Sequence, residues 1–403
     1  MIFSVLIIVV ALMLASFLTF SRRLRGSSDW NATVTPLASI MGSGFLVSAP
    51  LLAGVVGYWA VVFMSGLLVL AFLVGSVIRF NIRHFEPIEH QGHGPAQSLA
   101  FTSRLMLALA YFISVSYYLQ LLAAFVLNAF QIQNPGLANL ITTSILLVIG
   151  GVGIIWGLGE LEKVEKFAVG LNLGVVGALI FALLVHNGQL FDSGQWALPS
   201  VSPDLSVHSL RVVLGLLIVV QGFETSRYLG DAHPAEQRIK TMRRAQLISA
   251  GIYLVFIALA TVLFREGLGS DVTAIIAMTA PVAAVLPMML SVAAIGSQFS
   301  AAVADNAGAG GLLKDLSNNR LSMRQAYLMV MMVTIGLTWG SNVNQIIAYA
   351  SRAFAIYYAL QCAVALALTW RDHTIAHRLV RLPFFLMITL VCLGVAVFGL
   401  PSE

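Results

Sequence analysis

The sequence predicts an all-α fold that crosses a membrane about twelve times, and three observations predict it. The chain is 59% hydrophobic and 10% charged, with a mean hydropathy of +0.91, against roughly 25% charged residues in a soluble domain. Apolar runs of about 20 residues, enough to cross a hydrocarbon core of about 30 Å, recur along the whole chain. The basic residues cluster in alternate loops, as they do when cytoplasmic loops are separated from outer ones.

The segments run in order 2–20, 34–56, 58–80, 100–130, 138–157, 166–186, 208–230, 245–264, 281–312, 325–340, 344–369 and 383–400. The first is followed, not preceded, by the cluster Arg22, Arg23 and Arg25. That order marks a retained helix that starts outside, and not a secretory signal. The loops near 21–33, 79–97, 158–166, 231–244, 314–324 and 370–382, with the adjoining helix ends, hold every lysine and arginine except Arg211, Arg265 and Arg352. These six loops are therefore expected in the cytoplasm, with both chain ends extracytoplasmic and the protein in the cell (inner) membrane. The loops are short, so one membrane domain is expected over 1–403.

Two segments carry interruptions that a membrane helix ordinarily avoids. The second contains Gly42-Ser43-Gly44, and the seventh contains Gln221-Gly222-Phe223-Glu224-Thr225. Glycine disfavours helix by roughly 1 kcal/mol relative to alanine, and an unsatisfied backbone group in hydrocarbon costs several kcal/mol. The second segment begins inside and the seventh outside. Broken helices at matching positions in two oppositely oriented halves point to an inverted-repeat transporter with its site near the midplane. The halves are then 34–186 (helices 2–6) and 208–369 (helices 7–11), with 1–33 and 383–400 as additions. The competing reading is that these glycines serve close helix packing.

Residues 40–57, IMGSGFLVSAPLLAGVVG, resemble the first core helix of the amino acid-polyamine-organocation (APC) permeases, and residues 222–245, GFETSRYLGDAHPAEQRIKTMRRA, resemble the sixth core helix and its basic loop. SQFSAAVADNAGAGG at 297–311 is similar to the serine-rich eighth core helix of sodium/solute symporters, and the outward-starting first helix also fits those symporters. The resemblance implies the LeuT-type 5+5 inverted repeat and transport of a small solute. It further implies a ligand at Ser39, Gly42, Ser43, Gly44 and Phe45, facing Gly222, Phe223, Glu224 and Thr225. A half-helix starting near Phe45 offers free N–H groups and a positive dipole end to a carboxylate. The break from Gly222 to Thr225 would offer carbonyls to an ammonium group. Phe45 and Phe223 read either as pocket walls or as core aromatics.

Glu224 and Asp305 are the carboxylates placed deepest in spans, which makes them functional candidates. Glu224 has a local alternative in an ion pair with Arg227, three residues on; Asp305 has one in a solvated helix end. Arg352 either snorkels or closes the outer vestibule. The resemblance to sodium carriers implies an ion bound between Ser39, Ile40 and Met41 of the second segment and Ser297 and Ser300 of the ninth, with Asp305 as a further candidate; hydroxyl and carbonyl oxygens are the hard ligands such a cation needs. The alternatives are proton coupling, for which Lys163 and Lys166 lie too close to the boundary, and serines bonded within their own helix.

Other function classes have no support. There is no Walker motif for ATP-driven pumping and no enzyme constellation. His84, His90 and His93 share a loop with Glu86 and Glu89 but fit no tight metal-ligand spacing, so no metal site and no cofactor beyond a bound Na+ are expected. Cys362 and Cys392 read as buried hydrophobes. The pI near 9.4 reflects the basic loops and argues for no nucleic acid. The expected partners are a small-molecule solute, a coupling cation and the lipid bilayer, with oligomeric state left open. An amino acid or related zwitterion is the first reading of the solute; a nucleobase, osmolyte or organic acid is the second. A channel or a non-transporting sensor of the same fold is a reading from another class.

Overall fold

The computed structural model describes residues 2–402 apart from 43, 90, 92–93, 156–158, 200, 202–204, 231 and 269–270, with the backbone alone over 159–167. Each apolar segment coincides with a helix or a broken helix. α1 is Ile2–Phe20. The second segment divides into α2 (Ser28–Gly42) and α3 (Phe45–Val56). α4 (Ala60–His84), α5 (Pro95–Ala129), α6 (Pro135–Ile155) and α7 (Gly159–Asp192) complete the first half. The seventh segment is the short α8 (Val207–Leu214), followed by 3-10 turns at Leu217–Val220 and Phe223–Tyr228. α9 (Ala235–Ala260), α10 (Ala274–Thr279), α11 (Leu286–Leu316), α12 (Met323–Gly340), α13 (Val343–Arg371) and α14 (Arg378–Phe398) follow.

The structure departs from the expected boundaries in three places. Regular α-helix in the seventh segment stops at Leu214, well before the expected break at 221–225. Gly215 and Gly222 bracket Ile218-Val219-Val220, and this stretch closes with tighter i to i+3 bonds. α2 starts at Ser28 because Asp29 in its first turn suits the positive helix end, although 28–34 is too polar to show in a hydropathy profile. The turn of helix α10 lies in what reads as a plain loop.

Burial sorts the helices. Of the most apolar window of α5, 78% is buried, against 17% for α1 and 22% for α14. α5 is the axis, packed most extensively on α11 and α13, while α1 lies on α7 and α14 on α13. The α1–α7 seam is built on glycine: a Cβ on Gly174 would stand 2.7 Å from the Ala11 carbonyl and 2.8 Å from the Ala15 nitrogen. Small residues permit this approach, which is how helices associate where hydrophobicity gives no preference for protein over lipid. α12 and α13 turn tightly because Asn342 and Gln345 form a reciprocal cap on the start of α13. Cys362 and Cys392 are buried and unbridged.

Candidate functional site

The two broken segments touch through their glycines, reciprocally. A Cβ on Gly44 would stand 2.7–2.8 Å from the Cγ1, Cα and Cβ of Val219. A Cβ on Gly222 would stand 2.5 Å from Ser39 Oγ and 2.7 Å from the Ile40 nitrogen, and Gly222 has a φ of +115° that suits glycine. Ser39, Ile40 and Gly44 of one break thus pack on Val219 and Gly222 of the other. Both the packing and the backbone-approach readings of these glycines meet here: the close partner in this structure is protein backbone. Ser43 lies outside the described residues.

The freed backbone groups find partners from other helices. The Tyr253 hydroxyl of α9 lies 2.5 Å from the Val219 carbonyl and 3.1 Å from the Ile40 carbonyl. Gln298 of α11 donates to the Gly42 carbonyl at 3.0 Å, and Ile218 N–H donates to Ser351 of α13 at 2.9 Å. The Gly222 carbonyl accepts the Thr225 hydroxyl at 2.8 Å. This corrects the expectation that Gly222 offers a bare carbonyl to an ammonium group, and Ile40 a bare one to a cation: a broken helix leaves acceptors that neighbouring donors reach first.

Glu224 is fully buried. Its Oε2 accepts the Gly222 N–H at 3.0 Å and the Tyr358 hydroxyl at 2.9 Å, while Oε1 is buried with no partner among the described residues. The local pair with Arg227 does not form. Arg227 instead points to Glu89, at 3.2 Å, and to Gln361, although it shares the 3-10 turn Phe223–Tyr228 with Glu224, in which side chains three apart eclipse. Asp305 is also buried and accepts from Ser114 of α5, so it is not a solvated helix end. Tyr118 of α5 accepts from Gln221 at 2.9 Å.

Phe45 packs on Tyr253 and Phe256 of α9, with centroids 5.2 and 4.4 Å away, and Phe223 stacks on Tyr358 at 5.3 Å. Met41 is buried beside the first break. Ser297 reaches that break too, its hydroxyl 3.3 Å from where a Cβ on Gly42 would stand. Ser291 donates to the Pro287 carbonyl one turn back, whereas Ser297 and Ser300 make no such bond to a described residue. The side chains of Lys163 and Lys166 lie outside the described residues.

A family profile described as "APC superfamily transporter" matches residues 22–399. The chain belongs to the APC superfamily of transporters. An uncharacterized protein of Aquifex aeolicus (strain VF5) is 42% identical over 381 residues, 93% of this chain and 91% of that one. A crystal structure of a mutant manganese transporter from Eremococcus coleocola matches with a TM-score of 0.56 over 93% of this chain and 87% of its own, at 13% identity. The latter shows the fold alone, and that fold is the LeuT type expected from the broken helices.

In this APC superfamily member, ion pairs close the side of the basic loops. Glu89 meets Arg227 at 3.2 Å and Arg104 at 3.7 Å, Arg104 meets Asp315 at 2.8 Å, and Glu86 meets Arg238 at 2.5 Å. All of these but Arg238 line a cavity of about 150 Å³ with Tyr228 and Leu312. Glu86 and Glu89 therefore face arginines; His90 and His93 lie outside the described residues. At the opposite end Arg352 donates to the Gly399 carbonyl at 2.5 and 2.9 Å, and Arg211 to that of Phe398 at 3.1 Å. The guanidinium that reads as a snorkelling or acid-pairing group instead holds the segment after α14.

A search of the spans for carboxylates passes over Tyr253, Tyr358, Gln298 and Ser351. The available signal is general: a polar side chain inside an apolar segment needs a partner there, and a broken helix supplies unpaired backbone groups.

Proposed function

We propose that this APC superfamily transporter is a secondary active carrier that moves an amino acid or related small zwitterion by alternating access around the two breaks. The observation that carries the reading is the reciprocal contact of Gly44 with Val219 and of Gly222 with Ser39 and Ile40. The two glycine breaks, in contact here, open a volume when they part, and a zwitterion offers a carboxylate to the start of α3 and an ammonium to Glu224, whose Oε1 has no partner among the described residues. On this reading the site comprises Ser39, Gly42, Ser43, Gly44, Phe45, Gly222, Phe223, Glu224 and Thr225.

Coupling to Na+ is the favoured form over H+, with Ser297 and Ser300 as hydroxyl ligands beside Gly42 and with Asp305 nearby as a charge. The two serine hydroxyls, unbonded one turn back in α11, support it; the donors already on the Ile40 and Gly42 carbonyls require those oxygens to use a second lone pair. The test is counterflow of labelled solute in proteoliposomes, after a thermal-shift screen over amino acids, amines, nucleobases, osmolytes and, following the structural neighbour, Mn2+. Saturable counterflow that responds to sodium at fixed pH, with Ser300→Ala shifting the sodium dependence to higher concentration, is the expected result. Uptake without counterflow marks a channel, and binding without uptake a sensor.

A further inference from the structure

Arg79 of α4 and Arg243 of α9 are two cations on the basic-loop side that form no ion pair among the described residues. Their neighbours are all matched: Arg83 meets Glu236 at 2.6 Å, and Lys240 and Arg244 meet Asp29 at 2.8 and 2.9 Å. Among the described residues no carboxylate lies within ion-pair distance of Arg79 or Arg243, and Arg79 crosses the α4–α9 seam to bond Gln246, which follows Arg243 by three residues and so lies one helical turn from it. Arg79 is held in place. Its Nη1 donates to Gln246 Oε1 at 2.5 Å, Gln246 in turn donates to the Ala71 carbonyl at 2.8 Å, and the guanidinium lies 5.0 Å from the centre of the Phe72 ring. A half-buried, fixed guanidinium whose partners are a neutral amide and a ring keeps its remaining donors for an anion, and phosphate oxygens match that fork.

The surroundings specify the anion. Arg79 stands a little over one turn from the end of α4, and Arg243 stands in the third turn of α9, so both sit where their helices leave the hydrocarbon. One turn further into the membrane from Arg243, Leu247 is 54% exposed, and Ile248 beside it 40%. Such side chains face acyl tails. We propose that Arg79 and Arg243 together bind the phosphodiester of an anionic phospholipid in the leaflet on the basic-loop side, with its acyl chains along Leu247 and Ile248.

The experiment takes the full-length protein in detergent and supplies phosphatidylglycerol, phosphatidylcholine or inorganic phosphate, reading retained lipid by native mass spectrometry and melting temperature in parallel. Phosphatidylglycerol is expected to be retained and to raise the melting temperature, while phosphatidylcholine and inorganic phosphate do neither. Arg243 is exposed, so Arg243→Gln leaves the fold intact and weakens phosphatidylglycerol binding by about fivefold, the effect of one basic side chain at an anionic surface. Arg243→Glu supplies the missing carboxylate to Arg79: the melting temperature without lipid rises and the gain from phosphatidylglycerol disappears. Undiminished phosphatidylglycerol retention in both variants, or equal protection by inorganic phosphate, overturns the proposal.

Discussion

The Tyr253 hydroxyl stands 2.5 Å from the Val219 carbonyl, and through the same oxygen it reaches the Ile40 carbonyl at 3.1 Å. One side chain on α9 thus ties the two broken segments at the point where they cross. Tyr253→Phe keeps the ring on Phe45 and removes the hydroxyl. A buried carbonyl left without its donor costs about 1–3 kcal/mol, so the melting temperature is expected to fall. Thiol labelling of a cysteine placed at Ser39 should rise as the breaks separate. Unchanged labelling alongside the lost stability would mean that Tyr253 supports the fold without holding the breaks together.

Gly44→Ala and Gly222→Ala test the crossing itself. Each adds a Cβ inside contact distance of protein backbone, and at Gly222 the positive φ adds strain of order 1 kcal/mol or more. Both variants are expected to lose thermal stability as well as solute binding. If Gly44→Ala melts like the parent protein and only binding is lost, the breaks are already apart in the membrane and the contact with Val219 is not maintained there.

Glu224→Gln separates charge from shape. Arg227 has its own partners in Glu89 and Gln361, so neutralising Glu224 leaves no arginine unpaired, and an amide oxygen still accepts from Tyr358. We expect uptake to fall by more than tenfold with a stability change within about 1 kcal/mol. Equal losses of stability and uptake would assign Glu224 to capping the Gly222 turn.

Glu89→Gln is expected to behave in the opposite way. The Arg227 side chain is 4% exposed, and removing the partner of a buried charge costs about 3–5 kcal/mol. Expression and melting temperature should drop sharply, with partial recovery in the double variant Glu89→Gln, Arg227→Gln. Failure of that recovery would show that Arg104, not Arg227, depends on Glu89.

Hydropathy, basic-loop bias and glycine placement are properties of neighbouring residues, which is why the sequence alone located twelve apolar segments, where nine helices among the described residues are long and apolar enough to cross a membrane, both interruptions and the likeness to APC permeases. The extent of the second break was already less legible, because the 3-10 turns at 217–220 and 223–228 depend on what surrounds them. Partner choice was decided only by the tertiary structure. A carbonyl released at Val219 or Ile40 takes whichever donor the packing brings, and that donor is a tyrosine on α9. Arg227 has a long side chain and a carboxylate three residues away, yet it pairs with Glu89, 138 positions distant. The reason is physical: a broken helix frees groups without specifying their partners, and in a low-dielectric interior each freed group settles where folding places a complementary one.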